Sequence, residues 1–305
     1  MTLKQTTASP LAWAAMLAAP LFFSTNILFG SSLAAEVNPF ILAFTRWFLV
    51  AILLTPFVLK EWQTAKAVAR LHWRLMLCLG FLGMWVSGAI VYLALHYTTA
   101  INSNLIYTAS PVLIILIETV FFGRRVVFRE ISGVLLALIG VVLIVLRGKF
   151  AALTTLSLNP GDLLIALAAL SWAGYSILYR TPGLKRLSNL SLFGVVAWAG
   201  TIALSPAILI LALKGDATLP PTDTWARISG LVVLSSLAAF GLFQYGVRAM
   251  GASLSGMFMY LMPVYGVAMA ILFLGERLQN YHIVGIVMVL AGLVLAAFPA
   301  SLLKR

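Results

Sequence analysis

Unbroken apolar runs, each closed by a charged residue, a proline or a glycine, recur from one end of the chain to the other. They lie near 11–33, 39–59, 74–95, 99–122, 129–147, 161–180, 189–213, 225–247, 252–274 and 281–300. Runs of about 18 to 24 residues can cross a hydrocarbon core about 30 Å thick as helices. Transmembrane strands would need about half that length and would alternate apolar with polar positions. The pattern therefore predicts an all-α membrane protein of ten transmembrane helices. The first run passes from Leu11 through Pro20 and Asn26 to Gly30 with no small-residue cleavage site, which predicts a retained helix and not a signal peptide. The longest polar connections, around 60–73 and 213–227, are too short for a soluble domain.

Composition agrees with this pattern. Of 305 residues, 62% are hydrophobic and 9% charged, and the mean hydropathy is +1.06. That leaves too little polar surface to clothe a soluble globule of this size. The single cysteine, Cys78, has no partner in the chain and reads as core packing.

Charge sets the expected orientation. With the N-terminus inside, 14 basic residues fall on the cytoplasmic side: Lys4, Lys60, Lys66, Arg70, Arg74, Arg124, Arg125, Arg129, Arg180, Lys185, Arg186, Arg248, Lys304 and Arg305. Five fall outside: Arg147, Lys149, Lys214, Arg227 and Arg277. Lys and Arg favour the cytoplasmic side, so both termini are expected there. The net charge of +12 then reflects topology and anionic headgroups, not nucleic acid. The expected partners are the lipid bilayer and a small-molecule substrate, with a homodimer left open.

The chain repeats itself. Ala100-Ile-Asn-Ser-Asn to Ser110-Pro111 and on to Phe122-Gly123-Arg-Arg125 echoes Ala252-Ser-Leu-Ser-Gly to Met262-Pro263 and on to Leu274-Gly275-Glu-Arg277, at a constant offset of 152. Gly133 and Gly140 align with Gly285 and Gly292 at the same offset, and Pro56 with Pro206 at 150. Residues 1–150 and 151–305 thus divide into two five-helix units. An odd number of spans per unit forces the second copy to enter the membrane from the opposite side, and inverted repeats are the geometry of alternating access.

Several of these residues carry a resemblance. Ser110-Pro111 followed by an apolar run and Phe-Phe-Gly-Arg-Arg, the second copy ending Phe-Leu-Gly-Glu-Arg-Leu, and Arg46 in the second span resemble the EamA-type family of the drug/metabolite transporter superfamily. Arg124 departs from it, standing where the family usually has Glu. The resemblance implies a ten-helix bundle around a central cavity in a bacterial cytoplasmic (inner) membrane, with both termini cytoplasmic, exporting amino acids, nucleosides or other small metabolites without a cofactor. Among bacterial members the chain is most similar to exporters of aromatic and neutral amino acids.

Polar groups at mid-membrane depth are costly unless they face protein or water. Asn26, Ser110, Ser171 and Ser176 qualify, and the Asn26 amide both donates and accepts, as a zwitterion requires. Asn26 can equally tie helices together. Ser171-Trp172-Ala173-Gly174-Tyr175 sets small residues beside large rings and suits a ring-lined pocket. Trp13, Trp62, Trp73 and Trp225 sit at span ends as belt residues, whereas Trp85, Tyr107, Tyr175, Tyr260 and Tyr265 lie deeper and join the candidate substrate-binding set. Pro111 and Pro263 each remove one backbone hydrogen bond and mark a hinge or a static kink. Arg46 and Glu118 are the intramembrane charges. Arg46 lies about 10 Å from the outer edge and Glu118 about 6 Å from the inner one, at 1.5 Å per residue. Arg46 can bind a carboxylate through two donors or cap carbonyls and lock helices. Glu118 can snorkel towards Arg124 or Arg125, and is the one membrane carboxylate available for proton coupling.

Other functions fit less well. His72, His96 and His282 stand far apart at span edges, no His-Glu-x-x-His is present, and no paired carboxylates share a helix face, so an intramembrane enzyme has no visible catalytic set and no metal site. Gly251-Ala-Ser253 resembles a nucleophile turn only superficially. No phosphate-binding Gly-x-x-x-x-Gly-Lys motif exists, which leaves transport secondary or facilitated. One cation near the midplane is too few for a multiply phosphorylated substrate. A scaffold or receptor has no need of an inverted repeat.

Overall fold

The computed structural model describes residues 9–149, 159–274 and 277–297. Lys4, Lys304, Arg305, the Gly275-Glu276 pair of the second motif and the boundary between the two units lie outside these residues.

The described residues form helices and short connections. They are α1 (Pro10–Glu36), α2 (Pro39–Lys60), α3 (Trp62–Leu71), α4 (Trp73–Ala94), α5 (Ala100–Tyr107), α6 (Ser110–Phe122), α7 (Phe128–Val145), α8 (Pro160–Leu178), α9 (Asn189–Leu213), α10 (Thr222–Met250), α11 (Ala252–Phe258), α12 (Leu261–Leu274) and α13 (Asn280–Ala297). Nine segments among them are long and apolar enough to cross a membrane. Two are not single helices: Asn102–Phe122 spans α5 and α6, and Ala252–Met269 spans α11 and part of α12. The starts follow local chemistry. Ser9, Asn38, Thr99 and Ser188 accept from backbone N–H groups of the first turns of α1, α2, α5 and α9. Asn159 and Asp162 close a reciprocal capping box on α8.

Three features depart from ten plain helices. The segment expected as a polar connection around 60–73 contains α3, whose Ala65 and Val68 are buried one turn apart while Lys66 and Arg70 face outward. The fourth and ninth runs break at Thr108–Ala109 and at Met259–Tyr260, so Pro111 and Pro263 sit in the first turns of new helices rather than inside a kinked one. Finally, α4 is π-helical over Phe81–Ile90 and α10 over Val233–Ala238, and both stretches begin at positions 152 apart.

Packing pairs α2 with α9, α7 with α13, α1 with α10, and α8 with the π-helical part of α4. The α7–α13 seam is backbone against backbone. A Cβ on Gly292 would stand 2.5 Å from the Gly133 carbonyl oxygen, and one on Gly140 2.7 Å from that of Gly285. Residue numbers rise along one helix as they fall along the other, so α7 and α13 run antiparallel. Interfaces of small residues are how membrane helices approach closely.

Candidate functional site

The polar centre is built around Arg46 on α2, a buried guanidinium. Its Nε donates to Ser236 Oγ (2.6 Å) and its Nη2 to the Ser235 carbonyl (2.9 Å), both in the π-helical turn of α10. A π turn widens the helix and loosens its i→i−4 ladder, and here the Ser236 hydroxyl donates to the Leu231 carbonyl five residues back. Nη1 donates to Tyr92 Oη at 2.7 Å and to Asn26 Oδ1 at 3.4 Å. The Tyr92 hydroxyl in turn donates to Asn26 Oδ1 (3.2 Å). Trp47 and Phe240 present ring faces 5.0 and 5.8 Å from the guanidinium carbon, an arrangement that favours a cation. Among the described residues no carboxylate pairs with Arg46. Tyr107 lies beside Ser87 and within the electrostatic reach of Arg46. Asn26 and Arg46 therefore come together, drawn from α1 and α2, with Tyr92 of α4 and the two serines of α10 completing the ring.

Beside this centre, rings pack against rings. Trp172 of α8 stacks on Tyr175 (5.5 Å) and meets Phe243 (4.9 Å), Phe240 (5.3 Å) and Phe23 (5.6 Å). Gln244 donates to Tyr175 Oη and accepts from Tyr179 Oη, the latter at 2.9 Å. Trp172 and Tyr175 are thus filled in by neighbours in this conformation rather than standing around open space. Ser171 and Ser176 donate to the carbonyls of Leu82 and Trp172. Leu82 belongs to the π turn of α4, so each π-helical stretch lends a carbonyl to a donor from the other half of the chain.

The remaining candidates are dispersed. Trp85 stacks on Phe81 (5.1 Å) and tilts towards Phe40 (5.9 Å), outside the ring cluster. Ser110 is buried at the break before α6. Tyr260 is buried at the equivalent break, its hydroxyl without an acceptor or donor among the described residues. Tyr265 donates to the Leu17 carbonyl (2.9 Å), and Ser24 to that of Met262 (3.0 Å), tying α1 to α12. An apolar groove of about 320 Å³, lined by Trp13, Leu17, Phe258, Leu290, Leu293 and Val294, contains none of the candidates.

Glu118 belongs to the basic end of the bundle. Gly123, at φ 64°, ends α6 and turns the chain so that Arg124 N–H reaches the Glu118 carbonyl. Arg124 Nε then stands 3.5 Å from Glu118 Oε2, and its Nη2 2.6 Å from Glu130 Oε1. Arg180, past the end of α8, approaches Glu118 Oε1 at 3.7 Å, and Ser253 of α11 donates to Glu118 Oε2. Glu118 therefore does turn towards Arg124, and Ser253 is a hydrogen-bond donor within this ion cluster. At the other end, Arg227 grips Glu36 through two hydrogen bonds of 2.8 and 2.6 Å, and Thr98 and Asn102 donate to Asp162.

Sequence reasoning passed over Tyr92, Ser235, Ser236 and Gln244. The signals were present: a Ser-Ser pair in the middle of an apolar run, and a glutamine in Phe-Gln-Tyr-Gly. Among the described residues no group of three His, Cys, Asp or Glu side chains is placed to hold a metal ion.

The comparisons with known proteins point one way. The chain is 29% identical over 263 residues to an uncharacterized transporter of Archaeoglobus fulgidus, covering 85% of this chain and 88% of that one. It is 25% identical to a probable amino-acid metabolite efflux pump of Escherichia coli, over 79% of this chain and 83% of that one. It is 29% identical to a probable terminal-alkyne amino-acid exporter of Streptantibioticus cattleyicolor, over 64% and 63%. A crystal structure covering 99% of this chain and 100% of its own superposes with a TM-score of 0.76 at 21% identity, which shows the fold. The EamA-like transporter family matches twice, over residues 11–146 and 159–298, and the chain belongs to that family.

Proposed function

We propose that this protein is a secondary transporter that exports small neutral or zwitterionic metabolites, aromatic and other neutral amino acids first among them. The polar centre around Arg46 carries this reading. It is assembled from helices of both matched segments inside a bundle of apolar spans, where isolated polar groups are costly.

On this reading α1 is the tenth span, and residues 1–150 and 151–305 are inverted copies. Support comes from the packing pairs. The antiparallel seam of α7 on α13 joins Gly133 to Gly292 and Gly140 to Gly285, two contacts that interchange when each glycine is replaced by its repeat equivalent. The contact of α1 with α10 has its counterpart in α8 with α4. Such an arrangement lets the halves exchange conformations. The basic end, with Lys60, Lys66, Arg70, Arg124 and Arg180, faces the cytoplasm of a bacterial inner membrane, and both termini lie on that side. Two of the relatives carry amino-acid export or efflux in their names.

The test is efflux of preloaded radiolabelled phenylalanine from proteoliposomes, alone and against a panel of nucleosides and organic cations. Saturable efflux that is lost in Trp172→Ala is the expected result. Reconstituted protein that moves a nucleoside or a cation but no phenylalanine overturns the substrate class.

A further inference from the structure

We infer that Arg46 is the anchor for the carboxylate of the transported molecule, an assignment that rests on the chain being an amino-acid transporter and adds which end of the substrate is recognised and by what. Four hydrogen bonds reach out from the guanidinium, and every acceptor is neutral: a serine hydroxyl, a backbone carbonyl, a tyrosine hydroxyl and an amide oxygen. If the role were only to tie α2 to α1, α4 and α10, an uncharged donor would serve without the desolvation that a cation suffers inside a membrane. A cation with no carboxylate paired to it among the described residues makes sense where a negative group arrives and leaves.

The two sides of the guanidinium differ. Nε and Nη2 are held by Ser236 and Ser235 of α10. Nη1 faces Tyr92 and Asn26, and both can change partners. The Tyr92 hydroxyl, now accepting from Arg46, can donate to a carboxylate, and the Asn26 amide offers N–H groups as well as its oxygen. Trp47 Nε1, on the residue after Arg46, is buried against Gly88 of α4 and has no acceptor among the described residues. An arriving carboxylate would find Nη1, the Tyr92 hydroxyl and the Asn26 amide, a set of donors with one full positive charge. Gly30 keeps this corner tight: a Cβ there would stand 3.1 Å from Asn26 Oδ1 and 3.2 Å from the Tyr92 ring. Because Asn26 and Tyr92 are also what joins α1 and α4 to the arginine, a carboxylate that takes Nη1 releases those two side chains from it as it binds.

The experiment is phenylalanine counterflow in proteoliposomes with three competitors: unlabelled phenylalanine, 3-phenylpropionate, which keeps the carboxylate and lacks the amine, and phenylalaninamide, which keeps the amine and lacks the carboxylate. In the wild type, 3-phenylpropionate is expected to compete nearly as well as phenylalanine, and phenylalaninamide at least about tenfold less well, the usual penalty for leaving a buried charged donor unanswered. Arg46→Gln should erase that gap and Arg46→Lys retain part of it. Should Arg46→Gln fail to insert, the wild-type series decides alone. Phenylalaninamide competing as well as phenylalanine in the wild type overturns the anchor while phenylalanine transport stands. A wild type that moves other solutes but no amino acid removes the amino-acid reading, and the anchor falls with it.

Discussion

Two helix pairs related by the same 152-residue offset behave in opposite ways. Where α7 meets α13, repeat-equivalent glycines let backbones touch, and the interface is apolar and regular. Where α4 and α10 run through the bundle, the repeat-equivalent feature is a π-helical stretch, and each surrenders a carbonyl to a polar donor from the other half. The first pair minimises volume and leaves nothing to rearrange. The second offers backbone carbonyls to side chains from the other half, Ser235 to Arg46 and Leu82 to Ser171. Cores with alternative polar pairings can be bistable, whereas close-packed seams resist deformation. The seam is thus the fixed part of the molecule and the π-helical pair the part suited to change.

The largest expected effect comes from breaking the seam. Gly292→Leu puts a Cβ 2.5 Å from Ala137 N and the Gly133 carbonyl oxygen, both backbone atoms that cannot swing aside. A loss of about 3 kcal/mol, or failure to recover folded protein, is expected. The control lies in the other region: a Cβ added to Gly241 on α10 would meet nothing within 4 Å, so Gly241→Ala should change stability by no more than about 0.5 kcal/mol. Thermal unfolding in detergent separates the two, and equal losses would erase the distinction between a rigid seam and an adaptable pair.

Arg46→Met ranks next and separates stability from function. An apolar side chain of similar length removes the buried charge but also the donor that serves Ser236, the Ser235 carbonyl, Tyr92 and Asn26, so the thermal midpoint should fall by the equivalent of about 2 kcal/mol, while phenylalanine transport should fall at least about tenfold. A variant that unfolds but, once stabilised, transports normally would make Arg46 a strut like the seam glycines. Ser236→Ala is milder. It removes the Nε acceptor and the bond to the Leu231 carbonyl, for which about 1 kcal/mol is expected.

These contrasts also explain what could be read from the sequence. Helix ends near 39, 60, 128, 189 and 213 follow from prolines, caps and charges next to apolar runs, signals that are local. The breaks at Thr108–Ala109 and Met259–Tyr260 were announced by Pro111 and Pro263, but a proline fixes where a helix can restart, not how the turn before it closes. The π-helical turns had no local signal, because Phe81–Ile90 and Val233–Ala238 are made of ordinary membrane residues and their ladder is set by what crosses them. At the site, Arg46 and Asn26 stood out as costly in lipid. Ser235 and Ser236 did not, since serine in a membrane helix can satisfy itself on its own backbone, as Ser176 and Thr201 do here.

The smallest expected effect tests whether the ends of the bundle share in the comparison. Glu36 lies beyond the apolar run of α1, and its two hydrogen bonds to Arg227 fasten α1 to the start of α10, the helix that carries the π turn. The Arg227 guanidinium holds the Glu36 carboxyl below its ordinary value of 4.5. A carboxyl lowered in the folded state contributes stability that is present above its unfolded value and is lost as pH falls through the lowered one. The difference between wild type and Glu36→Gln should therefore be measurable at neutral pH and shrink below pH 4.5. Both partners are solvent-accessible, and salt should weaken the pair. If the latch also restrains α10, Glu36→Gln should speed phenylalanine counterflow slightly at neutral pH and leave the seam variants unaffected. A change in the thermal midpoint as large as that of Gly292→Leu would mean that α10 is held as firmly as α13, and that the polar centre has no freedom the seam lacks.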